Sequence, residues 1–455
     1  MSQLKSSSWK LLSTFVFVLP VLFVIQVFVY HPYFGNMDDS NLLILAANSD
    51  PILYSHSFGW RPTSGFIQHS SMLITWPVYA LGSAFGPTVF FIANALLTFS
   101  VILLAAYALT KVLNICTPAT VLTFVSVVFL WPYSADLLFF PSLQEKGVIL
   151  GAAALFFWIH LTRNHRSSFV YWVSLILASL IAFTTKTHVV LFVPAVVAAL
   201  WVVNHGRQNP NSISRLIGAT AYFLVLSVGT LWLALLGDYS SGTRGTRDLS
   251  FLVDRRFQFL VALAVAYTAY LTYRAFKGKF QSIELIPLLI VLPFIASFAG
   301  WSVRNYYLTV VSIGVAAMAV VIVGNFKSTQ VKLFSALGCL VIAVIWIFWR
   351  VPQVYGPLSS FQSFLVSTEA RQLDENKEVV GVTCMEAPTH FNRYTLFNDL
   401  SHLKFEYTPT LKEFEFVLAD QRLCPLVGDR SGWDLQWRSS IANGYSLYLN
   451  NKFPN

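Results

Sequence analysis

The amino-acid sequence predicts a mainly α-helical fold, a polytopic transmembrane bundle with a small C-terminal α/β or α+β domain outside the cytoplasm. Hydrophobic residues make up 56% of the 455 positions, charged residues make up only 11%, and the mean hydropathy is +0.61. A soluble chain carries roughly 25% charged residues, so this chain has too little polar surface to stay in solution. The composition therefore excludes a soluble enzyme, and it also excludes a disordered or fibrous chain.

Apolar runs divide the first part of the chain. A spanning helix needs about 20 mostly apolar residues, and eleven runs of this kind occur, several of them short. The first begins next to two lysines and has no small-residue cleavage site, which indicates an uncleaved anchor and not a signal peptide. The runs are Trp9–Tyr30, Pro87–Leu109, Ala119–Trp131, Val148–Leu161, Phe169–Thr184, Val189–Val203, Leu216–Leu236, Phe257–Tyr273, Ile286–Phe298, Tyr306–Val323 and Leu333–Trp349.

Charge density divides the chain into two domains. Residues 1–350 hold 21 basic and 9 acidic residues, whereas residues 351–455 hold 9 basic and 12 acidic ones, which is an ordinary soluble density. The first segment is therefore predicted to be the transmembrane body and the second a separate domain. Short β-branched runs between turn residues indicate strands in the second segment, with helices near Leu358–Ala370 and Asn398–Leu403. It has no glycine-rich phosphate loop, so a nucleotide site has no support.

The basic residues also predict the orientation of the bundle. With the N-terminus in the cytoplasm, 12 of the 21 bases of the body fall in short inner loops, and eight of its nine acids fall outside. The C-terminal domain is then extracytoplasmic. Because the chain has no Asn-X-Ser/Thr sequon, a bacterial inner membrane with a periplasmic C-terminal domain is the expected setting. Topology explains the basic excess, so membrane lipid, and no nucleic acid, is the expected partner.

The first outer loop, residues 31–86, begins with two adjacent acids. Asp38 and Asp39 are followed by Ser40 and by an apolar stretch, residues 41–47, which is predicted to lie along the membrane surface. Carboxylates near hydrocarbon are often functional, and two that lie together raise one pKa, which suits a general base. The alternative is that the two acids cap the surface helix. Both interpretations stay open.

The second outer loop carries another acid at the start of the fourth span. Glu145 and Lys146 are adjacent there, and a solvated helix end is the simpler explanation. If this loop faces the acids of the first one, Asp39 and Glu145 are candidate metal ligands. Carboxylate oxygens from two loops suit Mg²⁺ or Mn²⁺, which are the candidate cofactors. The sequence has no His/Cys pattern of the zinc type.

Bases are predicted on the same outer face, against the positive-inside trend. Arg and Lys are natural partners of phosphate, so these bases predict a phosphate bound at the outer leaflet. For the four arginines between residues 244 and 256, the favoured alternative is contact with lipid headgroups or ion pairs with Asp248 and Asp254. The candidate substrate- and phosphate-binding residues are Arg61, Lys146, Lys186, His188 and Arg304.

The layout resembles the GT-C class of polytopic glycosyltransferases. An anchor span, a long first outer loop with Asp38 and Asp39, a Trp60-Arg61-Pro62 element, about eleven spans and an outer C-terminal domain carry the resemblance over nearly the whole chain. The resemblance implies a donor sugar linked to polyprenyl phosphate and used on the extracytoplasmic side. It also implies that Asp38 or Asp39 is the base or positions the acceptor, and that Asp136 or, better, Glu145 is the second acid.

The expected activity is transfer of a sugar from polyprenyl phosphate to a glycan or lipid acceptor, such as an O-antigen or another part of the cell envelope. A carboxylate takes the proton of the acceptor hydroxyl, the oxygen attacks C1 with inversion, and polyprenyl phosphate leaves. Two alternatives stay open. One is a polysaccharide polymerase or ligase of lipid-linked sugars. The other, with less support, is a lipid or saccharide transporter, which needs charged or broken helices at mid-membrane.

Fusions to alkaline phosphatase test the predicted orientation. This reporter needs disulfides that form outside the cytoplasm. A fusion after Ser360 is therefore expected to be active, and a fusion after Lys277 is expected to be silent. The reverse pattern would contradict the orientation and, with it, the outer placement of the candidate acids.

Overall fold

A computed structural model shows a helical bundle with a small sheet at one end. It describes residues 15–34, 39–48, 51, 65–131, 134, 136–139, 145–162, 167–204, 210–236, 252–298, 308–383, 399–407, 414–420, 433–440 and 445–451. The predicted fold class is confirmed in its coarse form, because the described chain is mainly helical and ends in a small sheet.

Fifteen α-helices are described. They are α1 (Val18–Tyr30), α2 (Asp39–Asn48), α3 (Gly65–Phe85), α4 (Pro87–Val112), α5 (Pro118–Leu130), α6 (Asp136–Phe139), α7 (Glu145–Thr162), α8 (Ser168–Phe183), α9 (Val193–Asn204), α10 (Pro210–Leu236), α11 (Arg255–Phe276), α12 (Ile286–Ser297), α13 (Leu308–Gly324), α14 (Thr329–Leu365) and α15 (Thr368–Glu375). Two 3₁₀-helices, Thr187–Phe192 and Ser282–Leu285, precede α9 and α12.

Each predicted span overlaps a helix among the described residues. Six described helical segments are long and apolar enough to cross a membrane, one of them being the 3₁₀-helix Thr187–Phe192 together with α9, and the shorter apolar segments have 10–17 residues. The number of crossings therefore stays a prediction. The apolar residues 72–81, which are not among the eleven predicted spans, belong to the 21-residue helix α3, which includes Pro77.

Polar residues gather at two ends of the bundle. Glu145, at the start of α7, contacts Lys186, which follows α8. At the other end, Arg274 near the end of α11 contacts Glu284, which precedes α12. We call the end with Glu145 and Lys186 the sheet end, because α14 leads from there into the C-terminal sheet. The end with Arg274 and Glu284 is called the far end.

The sheet has five strands, β1 (Val379–Thr383), β2 (Lys404–Tyr407), β3 (Phe416–Asp420), β4 (Trp433–Arg438) and β5 (Tyr445–Asn450), in the order β2-β1-β3-β5-β4. β1 is parallel to β2 and β3, whereas β5 is antiparallel to β3 and β4. The helix expected near Asn398–Leu403 is wrong, because residues 399–403 form turns and bends that lead into β2.

The sheet is attached to the last turns of α14, which continues past residue 351 to Leu365 without a break. The Tyr445 N–H donates to Ser360 Oγ at 2.6 Å. The Phe361 ring lies 5.8 Å from Phe405, and the Phe364 ring lies 5.2 Å from Trp437. One helix thus carries the membrane body directly into the sheet.

An aromatic cluster fixes the helices beneath this junction. The Tyr355 ring of α14 lies 5.2 Å from Phe139 of α6, 5.0 Å from Phe91 of α4 and 5.9 Å from Phe23 of α1, between ring centroids. All four side chains are buried. Aromatic pairs add roughly 0.5–1.5 kcal/mol beyond area burial. The cluster therefore holds α6 against three longer helices.

Close packing between α7 and α8 gives a test of the fold. A Cβ at Gly151 of α7 would lie 2.8 Å from the Ala182 Cα of α8, a backbone atom that cannot rotate away. Gly151→Leu is therefore expected to push the helices apart and to lower the unfolding free energy by about 1–3 kcal/mol, measured as the thermal unfolding midpoint in detergent. The control is Gly338→Leu on α14, where nothing lies within 4 Å. Equal effects of the two substitutions would contradict this packing.

Candidate functional site

A buried ion pair lies at the sheet end. Lys186 Nζ donates to Glu145 Oε1 at 2.6 Å, although 41 positions separate the two residues. Glu145 is 1% exposed and Lys186 is 9% exposed. Glu145 is the first residue of α7, and Lys186 directly precedes the 3₁₀-helix Thr187–Phe192. Antiparallel packing of α7 and α8 brings these two helix ends together, which the sequence separation alone does not indicate.

The second carboxylate oxygen of Glu145 is the most informative atom of the site. Oε2 is buried and, within the described part of the chain, accepts no hydrogen bond. The simpler sequence interpretation of Glu145, a solvated helix end, is wrong because the residue is buried. A buried polar atom without a partner costs about 1–3 kcal/mol. Lys186 fixes the carboxylate, so Oε2 is placed to accept a hydrogen bond from a hydroxyl or amine of a ligand.

Asn94 of α4 organises the neighbouring polar contacts. Lys146 Nζ, on a residue that is 1% exposed, donates to Asn94 Oδ1 at 2.5 Å. The Asn94 amide donates in turn to the carbonyls of Leu137 and Leu138, at 3.0 and 2.7 Å. Asn94 therefore ties the start of α7 to α6. Asn94 was not among the residues predicted from the sequence. A single asparagine in an apolar span was a usable signal, because polar side chains in membrane helices usually form hydrogen bonds to other helices.

Asp136, the other candidate for the second acid, has a structural contact instead. It begins α6, and Arg350 of α14 lies 3.5 Å from its carboxylate, with both side chains partly exposed. This distance is long for a hydrogen bond. The pair holds α6 against α14, and Glu145 is the buried acid of the two.

The structure describes only part of the remaining site. α2 begins at Asp39, although the side chain of Asp39 lies outside what the structure describes, as do Asp38, Arg61 and Arg304. α2 packs on α3, and α3 packs on α4 and α7. His188 is the second residue of the 3₁₀-helix after Lys186 and is half-buried. The start of α7, with Glu145 and Lys146, therefore lies beside the segment that contains Lys186 and His188.

One of the four arginines between residues 244 and 256 forms an ion pair with Asp254. Asp254 caps α11 by accepting from the Arg256 N–H at 2.8 Å, and the Arg256 Nε lies 2.9 and 3.0 Å from the two carboxylate oxygens of Asp254. The hydrogen bond from the Arg256 guanidinium holds the pKa of Asp254 below its usual range. Arg256 is thus an ion-pair partner and helix-capping neighbour, as expected for this group of arginines.

The described residues do not fit a divalent cation. No group of three or more His, Cys, Asp or Glu residues occurs among them, and the one buried carboxylate at the sheet end already accepts from Lys186. A lysine ammonium beside the carboxylate repels a cation. The metal interpretation of Glu145 therefore has no support from its surroundings, and the side chain of Asp39 lies outside the described residues.

No protein-family model matches the sequence, and no curated protein matches it. The structure is similar to two crystal structures of ArnT from Cupriavidus metallidurans. That of the apo state has a TM-score of 0.49 and 11% identity, with 97% of this chain and 98% of that chain covered. That of the protein bound to undecaprenyl phosphate has a TM-score of 0.45 and 11% identity, with 96% and 97% covered. Identity and TM-score are both low, so the likeness assigns no substrate to this chain.

A double-mutant cycle tests the buried ion pair. Removing one partner of such a pair leaves a buried charge alone, so Lys186→Met is expected to lower the unfolding free energy by roughly 3–5 kcal/mol. Adding Glu145→Gln to Lys186→Met is expected to restore most of that loss. The thermal unfolding midpoint in detergent is the measurement.

The pair Asp254–Arg256 is the matched control for this cycle. Its side chains are more exposed, at 22% and 31%, and exposed pairs are worth about 0–1 kcal/mol. The same cycle there is expected to give a small coupling. Additive effects of Lys186→Met and Glu145→Gln would contradict a buried pair.

Proposed function

We propose that the protein is a membrane glycosyltransferase of the GT-C type. It moves a sugar from a polyprenyl-phosphate donor to a glycan or lipid acceptor at the sheet end of the bundle. The observation that carries the proposal is the buried pair Glu145–Lys186, which places a carboxylate and an ammonium 2.6 Å apart and leaves Glu145 Oε2 without a described partner. A site for a sugar phosphate needs both an acceptor for hydroxyls and a cation for phosphate.

The proposed site faces the extracytoplasmic side of a bacterial inner membrane, with the N-terminus in the cytoplasm. Two observations support this orientation. Asp136 and Glu145, which the charge distribution predicts to be outside, lie at the sheet end. The far end has the basic residues that it predicts to be inside, which are Arg274, Lys277, Lys279, Lys327 and Lys332. Residues 1–350 are the catalytic body in this proposal, and residues 351–455 are the periplasmic domain. The helix α14 joins the two without a break.

The reaction is a single displacement in which all atoms are accounted for. The acceptor hydroxyl oxygen forms a bond to C1 of the sugar while the bond from C1 to the phosphate oxygen breaks. The bonding electrons leave with the phosphate, so polyprenyl phosphate is the second product. The hydroxyl proton passes to a carboxylate, and C1 is inverted.

Asp38 or Asp39 is the proposed base. Asp39 is the first residue of α2 and Asp38 precedes it in the sequence; α2 packs on α3. The proposal is that this chain segment brings one of the two acids to the acceptor at the membrane surface. Glu145 is the proposed second acid. It fixes Lys186 through Oε1 and accepts a substrate hydroxyl through Oε2.

Lys186 is proposed to stabilise the phosphate as the bond to C1 breaks, since its position is fixed by Glu145. Charge that is held in place before the reaction needs no reorganisation during it. Lys146 follows Glu145 in the first turn of α7 and donates to Asn94 of α4. It is proposed to add to the positive charge that faces the phosphate. Arg61, His188 and Arg304 are the further proposed contacts to the donor.

Substitution of the acids tests the catalytic proposal. Loss of a positioned base lowers a rate by roughly 10²–10⁴-fold. One of Asp38→Asn and Asp39→Asn is therefore expected to nearly abolish transfer at unchanged membrane abundance. The measurement is transfer from a labelled polyprenyl-phosphate sugar in membrane vesicles, with the product analysed by mass. Addition of one sugar indicates a transferase, whereas a ladder of products or transfer of a whole chain indicates a polymerase or a ligase.

Asp50→Asn is the control, because Asp50 lies beyond α2 in the same outer loop. It is expected to be nearly neutral. The assignment is wrong if both Asn variants at positions 38 and 39 transfer at the wild-type rate while Asp50→Asn does not transfer.

A further inference from the structure

A basic cavity lies at the far end of the bundle, away from the proposed catalytic site. Its volume is about 500 Å³. The end of α11, the turn that follows it and the segment after α13 form its walls. The residues that matter for its chemistry are Tyr273, Arg274, Lys277, Lys279, Asn325 and Lys327.

Among the described residues, only one of the four cations in this cavity pairs with an acid. Arg274 binds Glu284 through two hydrogen bonds, from Nε at 3.0 Å and from the terminal nitrogen at 2.9 Å. The three lysines, Lys277, Lys279 and Lys327, are exposed and take part in none of the ion pairs found in the described ranges. The cavity therefore presents three positive charges, which are complementary to an anion.

Hydrogen bonds hold the walls of the cavity in place. Asn325 donates to the same Glu284 carboxylate at 3.1 Å, and the Tyr267 hydroxyl donates to the Glu284 carbonyl at 2.8 Å. The Arg274 guanidinium also donates to the Lys279 carbonyl at 2.6 Å. The turn between these residues needs Gly278, whose φ of +64° is disfavoured for other residues. The lysines thus extend from a fixed backbone.

An apolar groove continues from the cavity along the side of the bundle. Its volume is about 790 Å³, and residues of α11 and α12 line it, among them Ala264, Ala269, Leu288 and Leu292. Tyr273 lines both the groove and the cavity. A basic cavity that opens into an apolar groove matches one kind of molecule, which has an anionic head and a hydrocarbon tail.

We propose that this surface binds an anionic phospholipid, with the phosphate headgroup among Lys277, Lys279 and Lys327 and an acyl chain in the groove between α11 and α12. Basic pockets between membrane helices bind anionic headgroups. Nonspecific contact between the protein and bilayer lipid requires neither a cavity nor a cluster of positive charge on the protein. The proposal is independent of the glycosyltransferase function and of the residues at the sheet end.

Lipid retention tests the headgroup part of the proposal. The full-length protein is reconstituted with phosphatidylglycerol or phosphatidylcholine, purified in a mild detergent and analysed by native mass spectrometry. The wild type is expected to keep phosphatidylglycerol and to lose phosphatidylcholine. In the double variant Lys277→Gln/Lys327→Gln, the amount of retained phosphatidylglycerol is expected to fall about tenfold or more, because two charged contacts to the phosphate are lost. The charge-preserving pair Lys277→Arg/Lys327→Arg is expected to keep it.

Lys111→Gln/Arg215→Gln is the matched control, because it removes two charges from the far end outside the cavity. Lys111 lies over Tyr107 and Arg215 over Tyr171, much as Lys277 lies over Tyr273, but neither control residue lines the cavity. Retention is expected to be unchanged in this control. Equal loss in both glutamine pairs, or equal retention of the two phospholipids by the wild type, would overturn the proposal.

The groove is tested by filling it. Ala269→Trp is expected to lower retention of phosphatidylglycerol, whereas Ala266→Trp, on an exposed part of α11 that does not line the groove, is expected to leave it unchanged. Glycerol phosphate, a soluble headgroup without a chain, separates a lipid site from a free phosphate site. If it displaces phosphatidylglycerol at equal concentration and Ala269→Trp has no effect, the site binds free phosphate and the proposal fails.

Discussion

A charged side chain that leaves water at a helix end must find its counter-charge or a hydrogen-bond partner inside the protein, because hydrocarbon offers neither. This constraint organises the sheet end. Lys186 donates to Glu145, and Lys146 donates to Asn94. Each contact joins segments that are more than 40 positions apart in the chain. The polar interactions therefore fix how α4, α7 and α8 meet, while the apolar residues around them fill the remaining space.

The two ends of the bundle satisfy the same constraint in different ways. At the far end, every Glu284 contact is structural: Arg274 and Asn325 bind its carboxylate, and Tyr267 binds its carbonyl. At the sheet end, Glu145 Oε2 has no described partner. A fully paired acid fixes helices, whereas an acid with an open acceptor also offers a hydrogen bond to a ligand. This difference is the reason why we propose the chemistry at the sheet end. The exposed lysines of the far end belong to the proposed lipid site.

Small residues and rings complete the arrangement. Gly151 lets α7 approach the backbone of α8 at Ala182, four positions before Lys186. The aromatic cluster around Tyr355 holds α6 on α14, and the Asn94 amide bonds α6 to α4. The short helix α6 thus contacts long helices on several sides, and the acid at the start of α7 follows it after a brief connection. Van der Waals packing has this importance in membranes because lipid tails are as apolar as the helices.

Most of the fold could be predicted from sequence, because hydropathy alone decides which segments are helices in a membrane. Each of the eleven apolar runs overlaps a helix among the described residues, and the strands of the C-terminal segment follow from its β-branched runs. The predicted helix near Asn398–Leu403 was wrong, because residues 399–403 form turns and bends in which the His402 and Leu403 N–H groups donate to Asp374 Oδ1 and not to a helix carbonyl. The helix predicted near Leu358–Ala370 forms in part, as the end of α14, but its continuity with the last span and the packing of the sheet on its last turns were not predicted, because both are tertiary features.

For the candidate site, the sequence by itself determined which charged residues stand beside which spans. The sequence alone therefore predicted Glu145, Lys146 and Lys186 as site residues. Only the tertiary structure decided that Glu145 is buried and pairs with Lys186, that Asp136 contacts Arg350, and that Asn94 receives Lys146. The physical reason is that hydropathy depends on each segment alone. A hydrogen bond between distant residues depends on the rotation and depth of two helices, which are set by packing among all of them.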